Sequence, residues 1–367
     1  MDYQQENNVW VIGHKNPDTD SICAAICYAN LKNRLQDGFH YIPKRAGSIN
    51  EETKYVLQHF GVEPPEYAED AGAQVKDIAF RRTAGVSGHI SLKKAWELMK
   101  TENVMTLAVT SASDKLEGLI ITGDIAESYM DVYDNHILSR ARTQYKNIVE
   151  TLNGTLLAGN EHAYFLRGKV VVATGSRDVI EECIESDDLV IVGDRDETHI
   201  CALEENASCM VVTGGTQVSA QVLEMANRRD CVVIITPYDT FTAARLINQS
   251  MPIKYFMKKE NFVTFDIDDY VDEVREVMSK KRHRDFPVLD DQRRYLGMVS
   301  RRNLLNMHKK KLILVDHNEK SQAIDGIEGA EILEIIDHHR LGSLETMSPV
   351  FFRNQPLGCT STIVYQM

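Results

Sequence analysis

The sequence has no excess of positive charge: 41 Lys and Arg stand against 54 Asp and Glu, a net charge of −13 at pH 7. Affinity for nucleic acid comes mainly from a basic footprint on the phosphate backbone, so nucleic acid is excluded as the main partner. An acidic chain that handles an anionic substrate needs metal ions to bridge the two. There is also no apolar run long enough to span a bilayer. Residues 1–6 are polar, without the basic-then-apolar pattern of a secretory signal. No membrane partner is therefore expected, and a cytoplasmic location is. No CxxC pair occurs either. The seven cysteines (Cys23, Cys27, Cys183, Cys201, Cys209, Cys231, Cys359) are an odd count scattered through apolar segments. They read as reduced core thiols, and Cys23 and Cys27, one helical turn apart, are expected to pack rather than ligate.

What is present is ordinary in bulk and specific in places. With 367 residues, 43% hydrophobic and 26% charged, the chain should hold two to four domains, each with its own core. Val9-Trp10-Val11-Ile12 reads as a buried parallel strand, broken by Gly13 and Pro17. The intervening loop carries His14, Asp18 and Asp20. Ser21 opens a helix of small residues, with Asp20 or Ser21 as its expected N-cap.

Further along, a short strand is expected over 41–43, and a helix starting at Asn50-Glu51-Glu52-Thr53 and running through Phe60, closed by Gly61. An αββα order then follows: a helix over 93–100, strands over 105–109 and 118–122, and a helix from Asp124 to Met130. The same order recurs as a helix over 270–281, strands over 286–289 and 296–300, and a helix from Arg301 to Met307. Gly118 and Gly297 occupy equivalent places, so the two segments read as an internal repeat. Between them lie apolar strands over 169–173, 189–193, 209–213 and 231–235 with helical stretches between, the pattern of another α/β domain. Gly214-Gly215 is read as a turn rather than a phosphate cradle.

After the second copy, a strand over 312–315 ends in Asp316-His317-Asn318-Glu319, and one over 332–336 ends in Asp337-His338-His339. A strand over 350–352 leads to Pro356–Thr362 and the opening of a helix. In a parallel sheet all of these strand ends share one rim, where ligands bind. Three independent ends thus bring metal-ligating residue types together. Hard carboxylate oxygens with imidazole suit Mn²⁺, Mg²⁺ or Zn²⁺. Two ions sharing Asp316 would lower the pKa of a bound water and neutralise phosphate oxygens, and a histidine not spent as a ligand could protonate a leaving group.

His14-x-x-x-Asp18-x-Asp20-Ser21, Leu314-Val315-Asp316-His317-Asn318-Glu319 and Asp337-His338-His339 resemble the motifs of the DHH phosphoesterase superfamily. The Val315–Glu319 form, with Asn50-x-Glu52-Thr53, is most similar to family II inorganic pyrophosphatases. The paired repeats resemble CBS domains, and the region between them a DRTGG domain, although that five-letter run is absent. The resemblance covers essentially the whole chain. It implies an α/β fold: a DHH-type parallel sheet interrupted by two CBS repeats flanking a DRTGG-like domain. The expected domains are 1–70 and 310–367 for the two catalytic parts, 71–132 and 251–309 for the CBS repeats, and 133–250 for the DRTGG-like domain.

By position, the resemblance implies that His14 and Asp18 bind one metal, Asp20 and His338 a second, and that Asp316 bridges them. His339 would be the general acid or substrate contact, and a metal-bridging hydroxide the nucleophile. The ions implied are Mn²⁺ or Co²⁺, with Mg²⁺ accompanying pyrophosphate. In the CBS copies, Thr122 and Asp124, and Ser300, Arg301 and Asn303, are the residues expected to hold regulatory AMP, ADP or ATP, the arginine favouring phosphate at a helix start. A homodimer is implied as well. The family also has a further bridging aspartate and a second lobe with Lys and Arg groups downstream. Nothing up to Met367 supplies them, so the chain is expected to be a fragment, with turnover of its own doubtful. Two other readings stay open: another DHH phosphoesterase acting on oligonucleotides or polyphosphate, and a non-catalytic adenine-nucleotide-binding module.

Overall fold

Val9, Val11 and Ile12 are completely buried in the strand Asn8–Ile12, which fits a strand with neighbours on both edges and cover on both faces. This computed structural model describes residues 7–130, 134–306, 309–346 and 348–367. The polar residues 1–6, the expected boundary at 132–133 and the expected helix end at Met307 lie outside the described residues. The chain divides into two compact units. One comprises Met1–Arg81, Phe265–Val288 and Met298–Met367, and the other Arg82–Thr264 and Leu289–Gly297.

The first unit holds a six-stranded sheet in the order Phe351–Asn354, Glu331–Asp337, Lys311–Val315, Asn8–Ile12, His40–Arg45, Glu66–Tyr67. Every neighbouring pair is parallel. From Asn8–Ile12 the chain builds outward in one direction, and after the long insertion it builds outward in the other. The order therefore reverses between Asn8–Ile12 and Lys311–Val315, with Val11 opposite Ile313. That is a topological switch point, where the two loops leaving the carboxyl ends diverge and open a crevice.

One face of this sheet is covered by the helix Thr19–Leu35, whose Ala24, Ala25, Tyr28 and Ala29 pack with Val9, Val11, Ile313 and Val315. Its alanines let the helix backbone approach the sheet closely. The short helix Thr360–Tyr365 adds Ile363 and Val364 to the same core. On the other face Ala68, Ala71, Ala323, Ile324 and Ile327 pack against Ile12, Leu312 and Leu314. Each buried Val, Leu or Ile side chain contributes about 1.5–3 kcal/mol.

The second unit contains the helix Leu92–Thr101, the hairpin Thr106–Thr110 with Leu116–Ile121, and the helix Thr122–Met130. It also contains a five-stranded sheet in the order Thr155–Ala158, Val232–Ile235, Cys209–Val212, Leu189–Val192, Val170–Val172. Alternate residues serve opposite cores: Leu189, Ile191, Cys209 and Val211 point to one, Val190, Val192, Met210 and Val212 to the other. This is the period-two geometry of a strand covered on both sides. The edge strand Thr155–Ala158 is antiparallel and was not expected; at four residues it carries no periodicity to read. Gly214 and Gly215 sit at φ +80° and +68° and donate their N–H groups to Tyr238 O and Thr236 O, both at 2.8 Å, as a turn does.

The second copy of the repeat follows the expected order, with the helix Val271–Lys280 and the strands Asp285–Leu289 and Tyr295–Ser300. Its closing helix is shorter than expected from Arg301 to Met307, being a 3₁₀ turn over Asn303–Asn306. Asn303 folds back on Ser300, accepting from its N–H at 2.8 Å and its hydroxyl at 2.7 Å, which closes a tight turn at the strand end.

Candidate metal centre

The loop after Asn8–Ile12 is shaped by one close approach. A Cβ on Gly13 would lie 1.8 Å from the Oγ of fully buried Ser21, so only glycine fits there. The same Ser21 Oγ accepts from the His14 N–H at 3.2 Å and fixes the backbone of the histidine. The helix N-cap is Asp18, not Asp20 or Ser21. Asp18 Oδ1 accepts from the Ser21 N–H at 2.9 Å, because a cap side chain reaches the N–H three residues on. Asp20 is thereby left to turn elsewhere. Its two oxygens accept from the Thr360 N–H at 2.6 Å and the Ser361 N–H at 2.8 Å. Burial pushes the Asp20 carboxyl up, but these hydrogen bonds outweigh it and hold the group below the usual carboxylate range.

Asp316 lies across the switch point at the end of Lys311–Val315, and its side chain is 1% exposed. Its backbone adopts φ +64°, a left-handed conformation that aspartate tolerates and that turns the chain out of the strand direction. Its Oδ2 lies 3.5 Å from His14 Nε2, and its Oδ1 lies 3.4 Å from His338 Nε2. Asp18 Oδ1 is 3.9 Å from His14 Nε2, and Asp20 Oδ2 is 3.9 Å from His338 Nε2. Thr360 Oγ1 donates to Asp316 Oδ1 at 3.0 Å. Burial raises the Asp316 carboxyl above its ordinary range. The Asp316 carboxylate facing it is the main cause that raises His14 above its ordinary value.

Two groups of three ligand atoms lie within 4.8 Å of one another: His14, Asp18 and Asp316 in one, Asp316, His338 and His339 in the other. Asp316 belongs to both. The 3.4–3.9 Å spacings exceed a good hydrogen bond. They match two donors on one ion at bonds of about 2.1 Å. The ring of His338 is oriented for ligation, since its Nδ1 donates to the Leu357 carbonyl at 3.1 Å and leaves the Nε2 lone pair facing Asp316. The donor set therefore fits a pair of divalent ions.

His339 is held differently. Its Nδ1 lies 2.9 Å from Asp337 Oδ1, which also accepts from the His338 and His339 N–H groups at 2.7 and 3.2 Å. Asp337 is completely buried, and its second oxygen takes the Asn318 Nδ2. Half-exposed His339 thus has its Nε2 directed away from its carboxylate anchor. With His14, Lys15, Asn16, Ser321 and Gln322 it lines a cavity of about 300 Å³. His317 is buried edge-on to His14, at 6.4 Å between ring centroids, and burial pushes its imidazole down to about 4. It is a neutral backing residue. Sequence reasoning gave no separate role to Asp337, Asn318, Thr360 or Ser361. A carboxylate at a buried strand end was the available signal for Asp337, and Thr360 and Ser361 are recognisable only once their helix is placed.

The five residues expected to hold nucleotide do not come together in one unit. Thr122 and Asp124 belong to the second unit, Ser300, Arg301 and Asn303 to the first. Asp124 is buried, accepts from the Ile121 N–H at 2.9 Å and lies 3.4 Å from Lys258 Nζ. Asn303 makes the corresponding bond to the Ser300 N–H, so both copies share one strand-end cap. The Arg301 guanidinium donates to the carbonyls of Met278, Lys281 and His283, at the end of the helix Val271–Lys280. Thr122 instead lines a mainly apolar cavity of about 640 Å³ with Trp96, Ile125, Tyr129 and Met130.

A parallel sheet with imidazole and carboxylate donors at its switch point, interrupted by a repeat-containing insertion, defines an α/β protein with a candidate metal centre and an inserted module. Comparison with known proteins gives that class a family. Residues 147–250 match the DRTGG domain and residues 253–309 the CBS domain. The chain is 42% identical over 356 residues to the cobalt-dependent inorganic pyrophosphatase of Clostridium perfringens. It is 39% identical over 356 residues to a probable manganese-dependent inorganic pyrophosphatase of Thermotoga maritima. Each alignment covers 97% of this chain and 65% of the relative, so the chain spans a little under two thirds of their length. The crystal structure of the CBS and DRTGG domains of the regulatory region of Clostridium perfringens pyrophosphatase, complexed with the activator diadenosine tetraphosphate, is also similar. It matches at 36% identity and a TM-score of 0.60, covering 62% of this chain and all of that one. The chain belongs to the family of inorganic pyrophosphatases that carry CBS and DRTGG domains.

Proposed function

We infer that the switch-point site is a two-ion centre for hydrolysis of inorganic pyrophosphate, with manganese or cobalt as resident ions and Mg²⁺ accompanying the substrate. The observation that carries this reading is the membership of Asp316 in both donor groups. His14, Asp18 and Asp316 would hold one ion, and Asp20, His338 and Asp316 the other, with Asp20 in the place of His339, whose Nδ1 is taken by Asp337. Bound there, paired ions supply charge neutralisation for phosphate oxygens and activation of water. Asp316 sets the spacing. Asp20 stays ionised through the Thr360 and Ser361 N–H groups. His339, anchored at Nδ1 by Asp337, presents Nε2 to the cavity, where a proton can be delivered to a leaving phosphate.

We extend the reading to regulation by adenine nucleotides at the CBS repeats. Support comes from the likeness to a regulatory region crystallised with diadenosine tetraphosphate. The hydroxyl and carboxylate of Thr122 and Asp124, and of Ser300 and Asn303, with Arg301, remain the proposed contacts. Arg301 would have to exchange its carbonyl partners for phosphate. A homodimer is proposed through the second unit, whose Trp96, Tyr129 and Met130 are 43%, 49% and 66% exposed. A cytoplasmic location is consistent with seven free thiols.

The test is phosphate release from pyrophosphate, from a dinucleotide and from polyphosphate in Mn²⁺ plus Mg²⁺, with and without AMP. Any release is expected chiefly from pyrophosphate and altered by AMP, with the relatives' C-terminal lobe supplied where the chain alone does not turn over. Preference for a dinucleotide or polyphosphate would place the site in another phosphoesterase class.

A further inference from the structure

We propose that Asp325 is a positioning residue that ties the segment 70–72, where the inserted module begins, to the loop that carries His14. The proposal rests on the metal-centre reading above and adds a second role to the same half of the molecule. Asp325 has partners on two sides. Its carbonyl accepts from the Ala71 N–H at 2.7 Å, and residues 70 and 325 form a parallel bridge. Its carboxylate lies 2.5 Å from Lys15 Nζ, one residue beyond His14. The Lys15 N–H donates to Gln322 O at 2.8 Å, which holds the lysine against the same segment.

The segment is packed as one piece. Ala323, Ile324 and Ile327 are buried in the core that also contains Ala71, Ile12 and Leu314. Gly326, at φ +73°, is pressed beneath Asp70, and a Cβ there would meet Asp70 Oδ1 at 1.9 Å and Gly72 N at 2.4 Å. Asp70 Oδ1 in turn accepts from the Gly72 N–H, and Lys310 Nζ, where the chain returns from the insertion, donates to Gly72 O at 2.8 Å. The chain thus leaves for the insertion and returns from it beside one wedge, and the Asp325 carboxylate of that wedge holds the His14 loop through Lys15. A shift of the 70–72 segment moves Asp325 and, through Lys15, the His14 loop. Because the Lys15–Asp325 pair is partly solvated, at 39% and 69% side-chain exposure, the coupling it carries is a few-fold effect.

A double-mutant cycle on the whole chain tests this, read as Mn²⁺ affinity by calorimetry and as the Mn²⁺ resonance spectrum, with circular dichroism to verify folding. Gly326→Ala, which pushes the wedge from the 70–72 segment, should weaken Mn²⁺ binding about three- to five-fold. In an Asp325→Asn background the same change should have less than about 1.5-fold effect, and Asp325→Glu should restore the response. Asp70→Ala, which loosens the 70–72 segment without adding atoms, gives a second perturbation and decides the matter where Gly326→Ala does not fold. Equal effects in both backgrounds, or none, would overturn the role of Asp325. A native chain that binds no Mn²⁺ would instead overturn the metal-centre reading.

Discussion

His14 Nε2 and Asp316 Oδ2 lie 3.5 Å apart, although one follows the first strand of the chain and the other follows the insertion. Their strands are neighbours, and the sheet order reverses between them, so the two loops open a crevice with a donor on each wall. The insertion can leave and return without disturbing that pairing, because the strands meet by parallel register rather than through a short connection.

The two halves of the site should be separable. His338→Gln removes a donor from one group and leaves His14, Asp18 and Asp316 intact. Calorimetry should show one strong Mn²⁺ site retained and the second weakened at least tenfold. Equal loss of both would mean that the groups do not act as two sites.

Asp337 touches no metal in this account, yet it fixes His339 and the following backbone. Asp337→Asn should lower phosphate release at least tenfold while Mn²⁺ affinity falls much less, because the ring it anchors belongs to the proposed proton donor and not to an ion ligand. Native turnover in this variant would show that the ring is positioned by other contacts.

Gly13→Ala forces a methyl group against the buried Ser21 hydroxyl. Overpacking of this kind costs about 1–3 kcal/mol. The urea midpoint of the variant should fall accordingly, and Ser21→Ala in the same chain should recover part of the loss. An unchanged midpoint would show that the loop relaxes freely.

One pH effect belongs to the sheet rather than the site. Burial, aided by its hydrogen bond to Asp37 at 2.6 Å, pushes the Tyr41 phenol up to about 12. The folded state therefore holds this proton more tightly than the unfolded chain, whose phenols titrate near 10. Its stabilisation is complete below about pH 10 and is lost as the pH rises toward about 12. Denaturation midpoints should show this alkaline loss in the native chain and a smaller one in Tyr41→Phe.

Strand ends bearing His and Asp were legible because the residue types, the apolar runs before them and the shared rim of a parallel sheet all point the same way. Asp18, Asp20, Asp316 and His338 were found by that logic, and the structure brings them together with His14. Which carboxylate caps the helix was not legible: Asp18, Asp20 and Ser21 are all good cap residues, and only the distant Thr360–Tyr365 helix, docking on Asp20, decides between them. The same holds for Arg301. Its guanidinium found the carbonyls of a helix end far back in sequence, a contact that strand-to-helix spacing does not reveal. The strand Thr155–Ala158 escaped because four residues carry no usable alternation.

The central claim is that the switch point holds two ions bridged by Asp316. The most direct measurement is Mn²⁺ stoichiometry by equilibrium dialysis on the native chain and on Asp316→Asn. Two ions per native chain, with both affinities reduced more than about 100-fold by the substitution, are predicted. Fewer than two ions, or a stoichiometry and affinity untouched by Asp316→Asn, would contradict the account.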